Sequence, residues 1–184
     1  MFHFKNKGFT LIELLVVIAV IGLLASIVLV SMKNVRAKAR DAKRLSDMKQ
    51  IVLALQLYHD KYEKYPGSTS SYGEAEVICG GWDTSNVDND GDGKPFIEPL
   101  VDEKLMGGVP KDPIGTGNCG GYEYRYYRYS VGGYGCDASR GDYFVLGINN
   151  METSGNPYPK SPGWSCPSRN WQPEFDWVIG GFEK

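Results

Sequence analysis

Gly8-Phe9-Thr10-Leu11-Ile12-Glu13 opens onto a run of 24 residues, Phe9 to Met32, in which Glu13 is the only charged side chain. A helix of that length rises about 36 Å, enough to cross a bilayer hydrocarbon core of ~30 Å. A carboxylate inside such a run costs roughly 2.5–3.5 kcal/mol on insertion scales, which makes Glu13 a functional candidate by default. The run offers it no positive charge downstream. A cut between Gly8 and Phe9 would create one: the freed α-amino group of Phe9 lies one helical turn from Glu13. That amine can meet Glu13 of its own chain or of a neighbour packed alongside with its N-terminus staggered.

The basic leader Lys5-Asn6-Lys7, the Gly8-Phe9 junction, Thr10-Leu11-Ile12-Glu13 and the long apolar run occur together. In this combination they resemble the class III signal sequence of type IV pilins and type II secretion pseudopilins. The resemblance is close from Lys5 to about Val30 and continues as a pattern along the helical stem to Pro66. It implies that a prepilin peptidase cuts after Gly8 on the cytoplasmic side and methylates Phe9. It also implies that Glu13 guides each subunit into a growing filament. An ordinary signal anchor is the plainer alternative. A cleaved secretory signal fits less well, because the apolar run exceeds the usual ~7–15 residues and no small-x-small site closes it.

The chain has 184 residues and a net charge of −2, room for one modest domain beyond the anchor. Loss of Lys5 and Lys7 with the leader leaves 18 basic against 22 acidic side chains, a net charge of −4. That balance argues against general nucleic-acid binding by the whole surface. The 23 glycines and 12 tyrosines crowd into the C-terminal half, a composition suited to loops and short strands. Cys79, Cys119, Cys136 and Cys166 all lie beyond the apolar run, and none forms C-x-x-C. Their even number favours two disulfides in an oxidising exterior over a zinc site. Of the three possible pairings, Cys119–Cys136 with Cys79–Cys166 is preferred here, because the first pair flanks one Tyr-rich strand.

Residues 1–8 read as the leader, 9–64 as one long stem helix with 9–32 in the membrane, and 65–184 as a head. Gly22, in the middle of the run, allows close helix packing; the resemblance adds that helix is lost near this depth when subunits assemble. Leu45, Met48, Val52, Leu55 and Tyr62, with Ile51 and Tyr58 beside them, form an apolar stripe that needs a partner in the head. The remaining face, with Lys33, Arg36, Lys38, Arg40, Asp41, Lys43, Arg44, Asp47, Lys49 and Asp60, reads as solvated, or as a contact for lipid head groups or neighbouring subunits. Read naively, its basic cluster would be cytoplasmic; the resemblance and the cysteines place it outside.

Pro66-Gly67 ends the helix. Residues 66–118 read as a connecting region with a short helix at 97–106. It ends in Val109-Pro110-Lys111-Asp112-Pro113, which resembles the corresponding part of major pseudopilins and some pilins, with Ile114-Gly115 where Trp-Gly often follows in pseudopilins. Tyr122–Ser130, Asp142–Asn149 and Phe175–Phe182 read as strands, and 150–172 as a loop. The expected fold is α+β: a long N-terminal helix packed by a small antiparallel sheet at 119–184.

Asp88-Asn89-Asp90-Gly91-Asp92-Gly93 matches the first half of an EF-hand-type calcium loop, with Asp88, Asp90 and Asp92 as ligands and the Lys94 carbonyl beside them. The twelfth position is Pro99, so Asp83, Glu98 or Glu103 would have to complete a calcium site. The only histidines are His3, in the leader, and His59, read as an exposed stem residue, which leaves no catalytic triad or zinc cluster. The expected role is therefore a non-enzymatic filament subunit of a pilus or pseudopilus, with a head outside the bacterial inner membrane. Its implied partners are the peptidase, other subunits, membrane lipid, and an assembly platform with its ATPase. The rival readings are an anchored binding protein that uses its aromatic surface for sugar and never polymerises, and an anchored hydrolase.

Overall fold

The computed structural model describes residues 9–67, 78–86, 96–115, 117 and 119–184. The chain divides into two units between Ala39 and Arg40. One helix, α1, runs through Leu11–Tyr62. In its first part the large apolar side chains are exposed on every side, from Leu11 (83%) to Leu29 (63%), and the segment is long and apolar enough to cross a membrane. Gly22 lies within this helix and a Cβ there would meet open space.

The second part of α1 belongs to the head and follows the stripe read from the sequence. Met48, Ile51, Ala54 and Leu55 are buried, with Leu45, Val52 and Tyr58 packed at the margin. The helix stops at Tyr62, ahead of Pro66. Glu63 takes a left-handed conformation (φ 55°) and its N–H reaches back to the His59 carbonyl (2.8 Å), a common way to close a last turn.

The head carries β1 (Asp83–Thr84), α2 (Glu98–Asp102), β2 (Tyr124–Tyr129), β3 (Tyr143–Ile148), β4 (Ser165–Cys166), β5 (Arg169–Asn170) and β6 (Trp177–Phe182). Four strands form one antiparallel sheet in the order β1-β2-β3-β6, and β4 and β5 form a separate hairpin. Strand alternation sets the two faces. Tyr124 and Tyr126, Phe144, Leu146 and Ile148, and Trp177 pack with the α1 stripe. Tyr143, Val145 and Val178 face the other way, against Trp82, Trp171, Phe175 and both cysteines of one disulfide. Central β3 is buried on both faces throughout.

The second face is thus roofed by the loop-rich residues 131–175. Gly147 and Gly180 make this possible. A Cβ on Gly147 would fall within the Phe175 ring, and one on Gly180 within the Trp164 ring, so the bare backbone lets both aromatics lie on the sheet. Two fully buried tyrosines pin the sheet to the helix side. Tyr124 donates to the Asp47 carboxylate (2.8 Å) and Tyr126 to the Pro66 carbonyl (2.7 Å).

The disulfides are Cys79–Cys119 and Cys136–Cys166. This corrects the expected pairing of Cys119 with Cys136 and Cys79 with Cys166. The expectation placed Cys119 and Cys136 at opposite ends of β2. Six extended residues span about 20 Å, far beyond the ~4.4–6.8 Å Cα separation a disulfide tolerates. Flanking a strand therefore argues against pairing. Beside the second bridge, Ser168 donates from both its N–H (3.0 Å) and its hydroxyl (2.6 Å) to the Tyr134 carbonyl. Those bonds draw the β4–β5 hairpin to the β2–β3 connection.

Candidate functional site

Thr10 stands just before α1, and three residues on is Glu13. The Thr10 N–H (2.8 Å) and hydroxyl (2.7 Å) both donate to the Glu13 carboxylate, and the Glu13 N–H faces the Thr10 hydroxyl at 3.3 Å. This is a capping box, T-x-x-E, in which side chains satisfy donors that the first helical turn leaves free. The spacing stood in the sequence, but reading Glu13 solely as a buried charge hid it. The carboxylate therefore has a local task before any neighbour arrives. Phe9 is 86% exposed beside it. Gly8, the other half of the expected cleavage junction, lies outside the described residues, as do Asp88, Asp90, Asp92 and Lys94 of the expected calcium loop.

Two of the residues named to complete that loop, Asp83 and Glu103, make contacts of their own. Asp83 accepts from the Ile97 N–H (3.0 Å), and Glu103 pairs with Lys61. His59 is half-buried, with Nε2 3.0 Å from the Glu183 carbonyl and its ring 4.8 Å from Tyr65. It is a packing residue rather than an exposed one.

The helix face read as solvated divides. Lys33, Arg36, Lys38 and Lys49 are exposed, whereas Asp41, Arg44 and Asp47 are buried. Arg44 is wholly enclosed. Its Nε and Nη2 form a fork on Asp112 (2.6 and 3.0 Å), and its Nη1 reaches Asp41 (2.7 Å) and Glu152 (2.8 Å). The Tyr122 ring covers the guanidinium at 4.9 Å. Asp41 also accepts from the N–H groups of Glu152 and Thr153 and from the Thr153 hydroxyl (2.6 Å). Arg40 closes the set on Glu152 through Nε (2.7 Å).

The titrations follow from this geometry. Burial pulls the Arg44 proton affinity down, but Asp112 first and Glu152 next outweigh it and hold the guanidinium charged. The hydrogen bond from Arg40, opposed by burial and helped by Arg44, holds Glu152 at about 2. Burial raises Asp41, yet the Thr153 hydroxyl, the Glu152 N–H and Arg44 leave it below the usual carboxylate range.

This cluster explains the Pro110-Lys111-Asp112-Pro113 element. Between two prolines that fix extended backbone, Asp112 is presented to a helix residue 68 positions earlier, and its carboxylate also receives the Ile114 N–H (3.0 Å). The arrangement suits a structural clamp: each carboxylate has a donor. Among the described residues, no group of three or more His, Cys, Asp or Glu side chains is set to hold a metal ion.

Comparison with known proteins bears on both features. A family model described as a prokaryotic N-terminal methylation motif matches residues 3–29, and one described as a protein of unknown function (DUF1559) matches residues 33–85. The type II secretion system core protein G of Klebsiella pneumoniae is 37% identical over 116 residues, covering 61% of this chain and 71% of that protein. The protein of the same name from Pectobacterium carotovorum is 35% identical over 117 residues, 61% of this chain and 65% of its own length; for the Escherichia coli K12 protein the figures are 40%, 34% and 43%. The type IV major pilin protein PilA of Myxococcus xanthus is 30% identical over 40% of this chain and 34% of its own. The chain thus spans between about a third and seven tenths of the length of these relatives. No solved structure matches. The likeness covers the capped apolar helix and, in the longer matches, a large part of the head, and on that ground the chain belongs to the type IV pilin and type II secretion pseudopilin family.

Proposed function

We propose that this protein is a structural subunit of a helical filament of the type II secretion pseudopilus or type IV pilus kind. In this reading a prepilin peptidase removes residues 1–8 and methylates Phe9. The apolar part of α1 first anchors the subunit in the bacterial inner membrane, head outside the cytoplasm. It then leaves the lipid sideways to pack against the same segment of other subunits, driven by an assembly platform and its ATPase. The role is structural rather than catalytic.

One observation carries the proposal: between Leu14 and Leu29 the helix is apolar on every side and exposed on every side. A helix of that kind is completed only by lipid or by other helices. Within the family, pseudopilin is favoured over pilin. The likeness to core protein G extends over 116 residues against 74 for PilA, and the Asp112 clamp accounts for the Pro-x-Asp-Pro element.

Glu13 is assigned two tasks, capping its own helix and pairing with a Phe9 amine in the fibre. Glu13→Ala removes both; Glu13→Gln keeps a capping side chain and removes the charge. Both variants are expected to be processed and membrane-inserted, with the yield of sheared, pelleted filaments down at least ~10-fold, since an unpaired charge or lost pair in a dry bundle costs several kcal/mol. Normal filament yield from Glu13→Gln would refute the pairing. Wild-type protein that retains Met1–Gly8 and yields no pelleted filaments would favour an anchored, non-polymerising binding protein.

A further inference from the structure

The sheet face turned away from α1 carries a cleft of about 330 Å³, lined by Gly80, Gly81, Trp82, Tyr127, Tyr129, Tyr134 and Arg169. That volume is at the small end for ligand sites. Its walls are aromatic. Trp82 stands 5.9 Å from Tyr127 and 6.2 Å from Tyr129 between ring centroids, and Tyr129 stands 5.5 Å from Tyr134.

Arg169 forms the remaining wall, and it is immobilised. Its Nε and Nη2 fork onto Glu174 (3.1 and 2.8 Å), its Nη1 donates to the Tyr134 hydroxyl (2.7 Å), and the guanidinium lies 4.8 Å from the Tyr134 ring and 5.1 Å from that of Trp171. With Glu174 opposite, the wall carries no net charge, so an anion gains little there.

The walls are also set before any ligand arrives. Cys79 of one disulfide adjoins Gly80; Cys136 and Cys166 of the other lie two residues from Tyr134 and three from Arg169. Cys79 (φ 62°) and Tyr134 (φ 53°) both hold left-handed backbone without being glycine. Such outliers gather where a surface is shaped for contact, and a preformed wall lowers the ordering cost of binding.

We propose that this cleft binds one hexopyranose unit of a neutral oligosaccharide. A pyranose with equatorial hydroxyls has flat faces of axial C–H, which pack on aromatic rings, and an edge of hydroxyls, which match phenol and guanidinium groups. Amphipathic rings such as these serve both halves of that ligand. The proposal goes beyond the filament reading and stands independently of it.

The test is calorimetric titration of the full-length protein, in a detergent without a sugar head group, with cellotetraose, chitotetraose and maltotetraose. At least one of them binds at millimolar concentration or below, and Tyr134→Ala weakens it at least ~10-fold. Tyr134→Phe, which keeps the ring, loses less, and Leu53→Ala, outside the cleft, changes nothing. Tyr134 is 40% exposed, so its truncation leaves the core in place. The proposal is overturned if none of the three sugars binds at ~10 mM, or if Tyr134→Ala binds like the wild type.

Discussion

From Leu11 to Leu29, α1 presents apolar side chains in every direction and buries none, whereas from Asp41 to Leu55 the same helix buries seven side chains and leaves its outer positions polar or exposed. The contrast lies in what completes each part. The head supplies its own partners: a sheet for the stripe, Asp112 and Glu152 for Arg44, a tyrosine hydroxyl for Asp47. The first part has only Thr10 for Glu13 and nothing within the described chain for its apolar surface. One half folds by closing on itself. The other is left open, and association follows from that.

Substitutions should therefore fall into two classes: those in the head change stability, and those in the N-terminal part change assembly at constant head stability. The largest expected stability effect is at Arg44. Arg44→Met leaves Asp41, Asp112 and Glu152 facing one another without the guanidinium, at a cost of about 3–5 kcal/mol. Urea denaturation of the full chain in detergent measures it. A loss below ~1 kcal/mol would mean that the cluster is solvated, as the sequence pattern suggested.

Next comes the second disulfide. Replacing Cys136 and Cys166 by serine opens a 30-residue separation and should cost about 2–4 kcal/mol. Proteolysis under non-reducing conditions should release Cys79 linked to Cys119; a Cys119–Cys136 peptide would contradict the fold at β2.

A smaller, graded effect is expected with pH. Glu152 is held at about 2, below the ordinary carboxylate value of 4.5. Its contribution is therefore complete above pH 4.5 and is lost as pH falls from there toward 2. Denaturation midpoints of wild type and Glu152→Gln should converge across that window. Parallel curves would remove Glu152 from the clamp.

The long helix and the three principal strands were legible in the sequence, because each carries enough residues to show a period. Tyr124, Tyr126, Phe144, Leu146 and Ile148 alternate as read and form the helix-facing core. β1, with two residues, is too short to show alternation, and the β4–β5 hairpin hides among prolines and glycines. The Arg44 cluster was illegible for a different reason. It joins residues 68 and 108 positions apart, and on a helical wheel Asp41, Arg44 and Asp47 look like any charged face. Of the candidate site, the capping box was visible as T-x-x-E but was overshadowed by the larger cost of a carboxylate in lipid. The disulfide pairing needed the roof over the second sheet face, which local spacing does not specify.

In the proposed role, the open half of α1 is finished by processing and by other subunits. Mass spectrometry of the N-terminal peptide from the membrane and filament fractions tests it most directly. A chain that starts at N-methylated Phe9 is expected in both fractions. A chain that starts at Met1 and stays dispersed in the membrane would contradict it.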